Sequence, residues 1–112
     1  NKLVQIRDIS VILSTDKHEY SVNSTVEVKI IFYNHMGRDV KVPYLQTLYV
    51  GFVRIEGGID PFGVIINTTP EEEYLSIPAM SKIQFASATF IPIQIGRYKI
   101  SCLNSSIEVI VK

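Results

Sequence analysis

The sequence predicts an all-β protein, a sandwich of about 7–9 antiparallel strands. Three observations carry this. First, 17 Ile and 12 Val stand against 6 Leu and 3 Ala. Branching at the β carbon restricts rotamers in a helix and packs well on a pleated sheet, and the strong helix formers are the scarce ones. Second, apolar and polar residues alternate over short runs, and no segment keeps a 3.6-residue apolar period for three turns. Third, turn signals recur roughly every 8–12 residues.

The elements follow in order. Ile9, Val11 and Leu13 alternate with Asp8, Ser10, Ile12 and Ser14, a first strand. Residues 14–17 read as a turn. Val26, Val28, Ile30 and Phe32 alternate with Glu27, Lys29, Ile31 and Tyr33, the clearest strand in the chain. Asn34 to Gly37 signals a turn in which Gly37 can supply a positive φ. Val40, Val42 and Tyr44 then form a third strand after a short hairpin, with Pro43 marking an edge or a strand end. A fourth strand spans 48–56, with Leu48, Val50 and Phe52 on one face. Residues 57–63 form a breaker-rich loop around Ile59 and Phe62. Short strands over 64–66 and 74–77 flank an acidic loop at 71–73. A turn at 78–81 precedes a strand in which Ile83, Phe85, Ser87 and Thr89 share one face. Residues 97–103 and 107–111 close the domain.

The length of 112 residues suits one domain, and zero formal net charge gives no electrostatic footprint for nucleic acid or anionic lipid. Aromatic residues are not interleaved with Lys and Arg, which also argues against a single-strand nucleic-acid binder. One cysteine excludes an internal disulfide framework and a multi-thiolate zinc site. No stretch reaches the roughly 18 apolar residues of a membrane-spanning helix. The opening at Asn1 without methionine reads as a domain, 1–112, cut from a longer membrane-anchored or secreted chain, so that any contact with a membrane runs through an anchor outside it.

Thr15, Asp16 and Lys17 are followed by Tyr20, Asn23 and an alternating strand. This resembles the opening of prokaryotic, archaeal-type immunoglobulin-like surface domains and of macroglobulin-like domains. Asn23 stands where that pattern has Gly, a mild departure because Asn tolerates the left-handed conformation. Phe32-Tyr33-Asn34 followed by Gly37, and Pro78 followed by Gly96 and Tyr98, resemble later strands and turns of the same family. The resemblance implies an immunoglobulin-like sandwich on a cell surface, and it specifies a fold better than a function. An antibody-type domain is not supported, since there is no Trp, no second cysteine, and Cys102 lies four residues after Tyr98 rather than two.

Three Asn-x-Ser/Thr sequons begin at Asn23, Asn67 and Asn104, out of only five Asn. All fall at loops or strand ends, where glycans are tolerated. They point to an extracellular glycoprotein, and with a lone cysteine to a prokaryotic, archaeal one. No catalytic constellation emerges. His18 and His35 lie in early loops, and Cys102 alternates with Ile100 and Tyr98 on a packed face. Type-1 copper needs His and Met close to the cysteine, and the ten residues after Cys102 contain neither. The sequence therefore implies no enzyme, no cofactor and no metal.

Binding remains. The runs 30–33, 48–53 and 90–95 carry apolar residues on both faces, and mean hydropathy is +0.21. Apolar excess on a small domain marks an interface. Ile91, Ile93 and Ile95, flanking Pro92 in a pattern that suits an edge position, form the first candidate surface; Phe62, Tyr44 and Tyr49 are the others. The expected partner is another envelope or surface protein, such as a component of an archaeal appendage or S-layer, or a second copy in a homodimer. Two alternatives stand beside this: an immunoglobulin-like proteinase inhibitor using loop 57–63, and an accessory binding domain of a secreted enzyme, in which Tyr33, Tyr44, Tyr49 or Tyr74 would stack sugars.

Overall fold

The computed structural model describes residues 2–5, 8–55, 62–67 and 73–112. Eleven strands occur among them: β1 (Lys2–Leu3), β2 (Ser10–Ser14), β3 (Glu19–Tyr20), β4 (Val26–Tyr33), β5 (Val40–Pro43), β6 (Thr47–Arg54), β7 (Phe62–Asn67), β8 (Tyr74–Ile77), β9 (Lys82–Phe90), β10 (Gly96–Cys102) and β11 (Ser105–Val111). The nine strands of four or more residues pair antiparallel. The two-residue strands β1 and β3 pair in parallel, with β5 and β11.

The strands form sheets of order β2-β4-β9, β3-β11-β10-β6-β7 and β1-β5-β8. The first two pack face to face as a β-sandwich. With the two-residue β3 set aside, their order β2-β4-β9 against β11-β10-β6-β7 corresponds to A-B-E against G-F-C-C′ of the immunoglobulin arrangement. Period-2 patterning places the core. Val26, Val28, Ile30 and Phe32 of β4 are buried, and Glu27 and Lys29 between them are exposed. Opposite them, Leu48, Val50 and Phe52 of β6, Tyr98, Ile100 and Cys102 of β10, and Val109 and Val111 of β11 are buried in the same cluster. Phe90 lies between the sheets, with its ring 4.0 Å from Phe52 and 5.8 Å from Tyr98 between centroids.

The third sheet extends one pole. The Cα radius of gyration is 15.4 Å and the principal extents are 46 × 25 × 20 Å, against a radius of about 13 Å for a compact domain of this length. The β4–β9 ladder ends at Tyr33–Lys82 and the β5–β8 ladder begins at Val40–Ile77. They are two halves of one ribbon, bent where Asn34 sits. Asn34 is the fully buried polar side chain among the described residues. Its amide donates to the carbonyls of Arg38 at 2.8 Å, Ile77 at 3.1 Å and Pro78 at 3.0 Å, and its Oδ1 accepts from the Met36 amide at 2.9 Å. The Asn34 backbone N–H donates to the Ser81 carbonyl, the Met80 N–H to the Met36 carbonyl, and the Ala79 N–H to Asp39 Oδ1.

This bend changes the sequence reading in two places. β5 forms no hairpin with β4; it pairs with β1 and β8. Gly37 does not have a positive φ, because the Asn34 side chain shapes the turn instead. Pro43 ends β5, in keeping with its missing N–H. A third difference lies in β9. Its register against β4 moves from Ile30–Ala86 to Ile31–Gln84, leaving Phe85 unpaired as a bulge. The extra residue inverts the alternation. Ala88 and Phe90 therefore face the core, while Ser87 and Thr89 are exposed, and Phe85 stacks on Phe32 at 4.7 Å and meets Tyr44 tilted at 5.2 Å.

Asn34→Ala would leave the Ile77 and Pro78 carbonyls without their donor in a buried bend. The expected loss is about 2–4 kcal/mol of unfolding free energy, measured by urea denaturation as a lower midpoint with unchanged slope.

Candidate functional site

The isoleucine segment is not an edge strand. Residues 91–95 connect β9 to β10 outside any strand ladder, with a bend at Gln94. Pro92 is buried, and Ile91, Ile93 and Ile95 point the other way, 56%, 75% and 60% exposed. Three hydrogen bonds from three different elements hold the segment. The Asn23 amide donates to the Pro92 carbonyl at 2.8 Å. The Tyr98 hydroxyl donates to the Gln94 carbonyl at 3.0 Å, and Arg54 Nε donates to the Ile95 carbonyl at 2.8 Å. Gly96, at φ 142, allows the last of these, since a Cβ there would stand 2.9 Å from Arg54 Nε. Ile55, 40% exposed, continues the apolar surface just beyond, with its amide bonded to the Arg97 carbonyl. The result is a fixed apolar ridge at one pole.

Sequence reasoning found the isoleucines and missed their supports. The break that Pro92 makes in the alternation and the Gly96 that follows are the signals that were there to read. The other expected surface residues scatter. Tyr44 is half-buried against Phe85 at the opposite end of the fold. Tyr49 is 58% exposed on the outer face of β6. Phe62 begins β7 opposite Phe52, and its side chain lies outside the described residues, as do residues 57–61 of the loop proposed for inhibition and Glu71 and Glu72 of the acidic loop.

Of the sequons, Asn23 is exposed in a turn with φ 68, the left-handed conformation that the sequence allows it. Asn104 is exposed in the two-residue loop between β10 and β11, beside Leu103 at φ 55. The two sites lie at opposite ends of β10. Asn67 ends β7 by its backbone; its side chain, Thr68 and Thr69 lie outside the described residues.

The resemblance motif has a local structural reason. The Tyr20 hydroxyl donates to Asp16 Oδ1 at 2.6 Å and accepts from the Lys17 amide at 3.2 Å, while Thr15 Oγ1 donates to the Lys17 carbonyl at 2.7 Å. The tyrosine thus anchors the turn ahead of β3. Its bond holds the Asp16 carboxyl below the usual carboxylate range, and burial, with Asp16 beside it, raises the Tyr20 hydroxyl. Cys102 is buried, and burial pushes its thiol up to about 11. His18 and His35 are both exposed. Among the described residues no three His, Cys, Asp or Glu side chains form a metal-holding group.

No protein-family model and no curated protein sequence matches the chain. Among solved structures it is similar to a β-glucosidase from Listeria innocua in complex with gluconolactone, at 12% identity and a TM-score of 0.47, covering 92% of this chain and 16% of that one. The same enzyme in complex with glucose gives 13% identity, a TM-score of 0.47 and the same coverage. It is also similar to the CARDB domain of a Pyrococcus furiosus protein in complex with di-metal ions, at 16% identity and a TM-score of 0.43, covering 93% of this chain and 92% of that one. The chain spans about one sixth of the β-glucosidase chains. Likenesses of this degree assign neither a substrate nor a metal to it.

Two outcomes are expected. Cys102 will resist a thiol reagent at pH 8 in the folded protein and react fully in denaturant, because a thiol with a raised pKa offers almost no thiolate; a reagent time course checks this. Asp16 has a lowered folded pKa, so its contribution is present above the ordinary carboxylate range and lost as pH falls through the folded value. The stability gap between the wild type and Asp16→Asn will be constant near neutrality and close in strong acid, as read by urea unfolding across pH.

Proposed function

We propose that the protein is a non-catalytic binding or scaffolding module of the cell exterior, one immunoglobulin-like domain of a longer anchored or secreted chain, which engages another envelope protein through the isoleucine ridge. The ridge carries this reading. Exposed isoleucines on a mobile loop would lose entropy on binding, and this loss is reduced when the segment is already fixed. Pro92 is packed inward and three hydrogen bonds hold the backbone, so the segment that carries the three side chains is already in place. An aliphatic surface so ordered suits a complementary apolar surface on a folded partner, an envelope component such as an appendage or S-layer subunit.

The exposed positions of Asn23 and Asn104 support an exterior location, because both offer an acceptor asparagine at a turn where a glycan would meet solvent. A homodimer through the same ridge is the other occupant its chemistry admits.

A photo-crosslinking residue in place of Ile93, expressed in the native cell, will give one discrete adduct with an envelope protein, or with a second copy. The adduct will be lost when Ile91 and Ile95 are both changed to Ser. With the purified partner, Ile93→Ala will weaken binding roughly tenfold. A smear of adducts indifferent to those substitutions would set the reading aside. Peptide mapping of the native protein will show glycan on Asn23 or Asn104, and unmodified asparagines in all three sequons would remove the argument for the exterior.

A further inference from the structure

The outer face of the five-stranded sheet carries a second surface of different chemistry. Gly63 of β7, Gly51 of β6, Ser101 of β10 and Ser106 of β11 lie side by side in register. Tyr49 precedes Gly51 by two residues and so projects from the same face. A Cβ on Gly63 would collide with Tyr49 Cε2, Cζ and the hydroxyl oxygen, and one on Gly51 would stand 3.4 Å from Cε1. The far end of the ring is therefore down at the height of its neighbours' Cβ positions. A tyrosine standing upright on a strand would lift those atoms well clear of the sheet. The ring instead lies over the glycine pair, and it is still 58% exposed. One side rests on backbone and the other faces solvent.

The surroundings are polar. Ser101 Oγ lies 3.2 Å from the Cβ position of Gly51. Beyond the glycine–serine row, Val53, Lys99 and Glu108 form the next row in register. Lys99 and Glu108 are exposed, and Glu108 pairs with Arg97 at 3.8 Å.

We propose that Tyr49 is the stacking platform of a carbohydrate subsite on this face, taking a pyranose ring of a neutral oligosaccharide, with Ser101, Ser106 and Lys99 offering hydrogen bonds to its hydroxyls. A pyranose has an apolar C–H face rimmed by hydroxyl groups. A single aromatic face with hydroxyl and ammonium donors one or two strands away matches that pattern at the scale of one sugar. A protein partner needs roughly 800 Å² of surface with an apolar centre, and here the exposed apolar side chains among the described residues are the Tyr49 ring and Val53 one row beyond it. Four strands at about 4.8 Å spacing make the row about 14 Å long, enough for more than one sugar unit. Gly63 explains the platform itself, since a side chain there would push the ring upright, while the ring's other edge rests in van der Waals contact over Gly51. This surface is distinct from the ridge, and the two readings stand or fall separately.

The test is an amide NMR titration with soluble tetrasaccharides of β-linked glucose, β-linked N-acetylglucosamine, mannose and galactose. At least one will shift the Tyr49, Gly51, Gly63 and Ser101 amides saturably, with a dissociation constant on the order of 1 mM. Tyr49→Phe will bind alike. Tyr49→Ala will weaken binding roughly tenfold. Gly63→Ala, which lifts the ring, will weaken it likewise while the remaining spectrum stays folded. The assignment is overturned if none of the four sugars moves these amides, if the shifts persist in Tyr49→Ala, or if the amides move with protein concentration alone, which would mark the face as a contact between two copies.

Discussion

The buried side chain of Asn34 sets the bend on which the rest of the architecture depends. The ribbon that begins as β4 and β9 continues as β5 and β8, and its two halves belong to different sheets. Where it bends, backbone carbonyls lose their ladder partners, and that of Ile77 is buried away from water. A buried carbonyl left unpaired costs about 1–3 kcal/mol. A primary amide offers donors and an acceptor from one short side chain, so Asn34 serves Arg38, Ile77, Pro78 and Met36 together. A carboxylate would set negative charge against three carbonyl dipoles, and a hydroxyl has a single proton to donate. With the bend fixed, β5 is delivered to the third sheet, and the chain re-enters the sandwich as β6 on the opposite layer.

Much of this was legible in the sequence, and what was not has a common cause. The alternation in 26–33 and the triplet Leu48, Val50 and Phe52 fix their faces locally, because a strand's side-chain period is a property of its own residues. Asn23 announced its left-handed turn by its own chemistry. The pairing of β5 with β8 was hidden, since adjacent strands usually form hairpins and only the Asn34 contacts with residues 77 and 78 redirect this one. The bulge at Phe85 was hidden for a related reason: a one-residue offset exists only in relation to β4, and it inverts the face of everything after it. The ridge was half legible. Its isoleucines stood out, but the supports from Asn23, Arg54 and Tyr98 come from positions remote in sequence. The seat of Tyr49 depends on Gly51 and Gly63 meeting across two strands, which the linear sequence does not display.

The two candidate surfaces differ in how they are stiffened. At the ridge, backbone carbonyls are tied down and the side chains are left free to make contact. On the sheet face the backbone is already rigid within a five-stranded ladder, and the side chain is positioned by what its neighbours lack. Both leave apolar atoms in water without letting them collapse onto the core. Part of the remaining apolar excess is absorbed, while Tyr74, Met80, Leu103 and Ile110 stay exposed singly. Ile31 and Tyr33, on the outer side of β4, are half-buried, and Tyr33 has Lys82 Nζ 5.7 Å from its ring centroid.

The ridge also bears on how the two layers hold together. Its tethers run to the turn that leads into β4 and to β6 and β10, so it is fastened to both faces of the sandwich at once. Sliding or parting the sheets would distort it. Any molecule that recognises the intact ridge must then favour the closed sandwich, and by thermodynamic linkage its binding free energy is added to the work of unfolding. A domain held at this point by a bound molecule would be harder to pull apart than the same domain free.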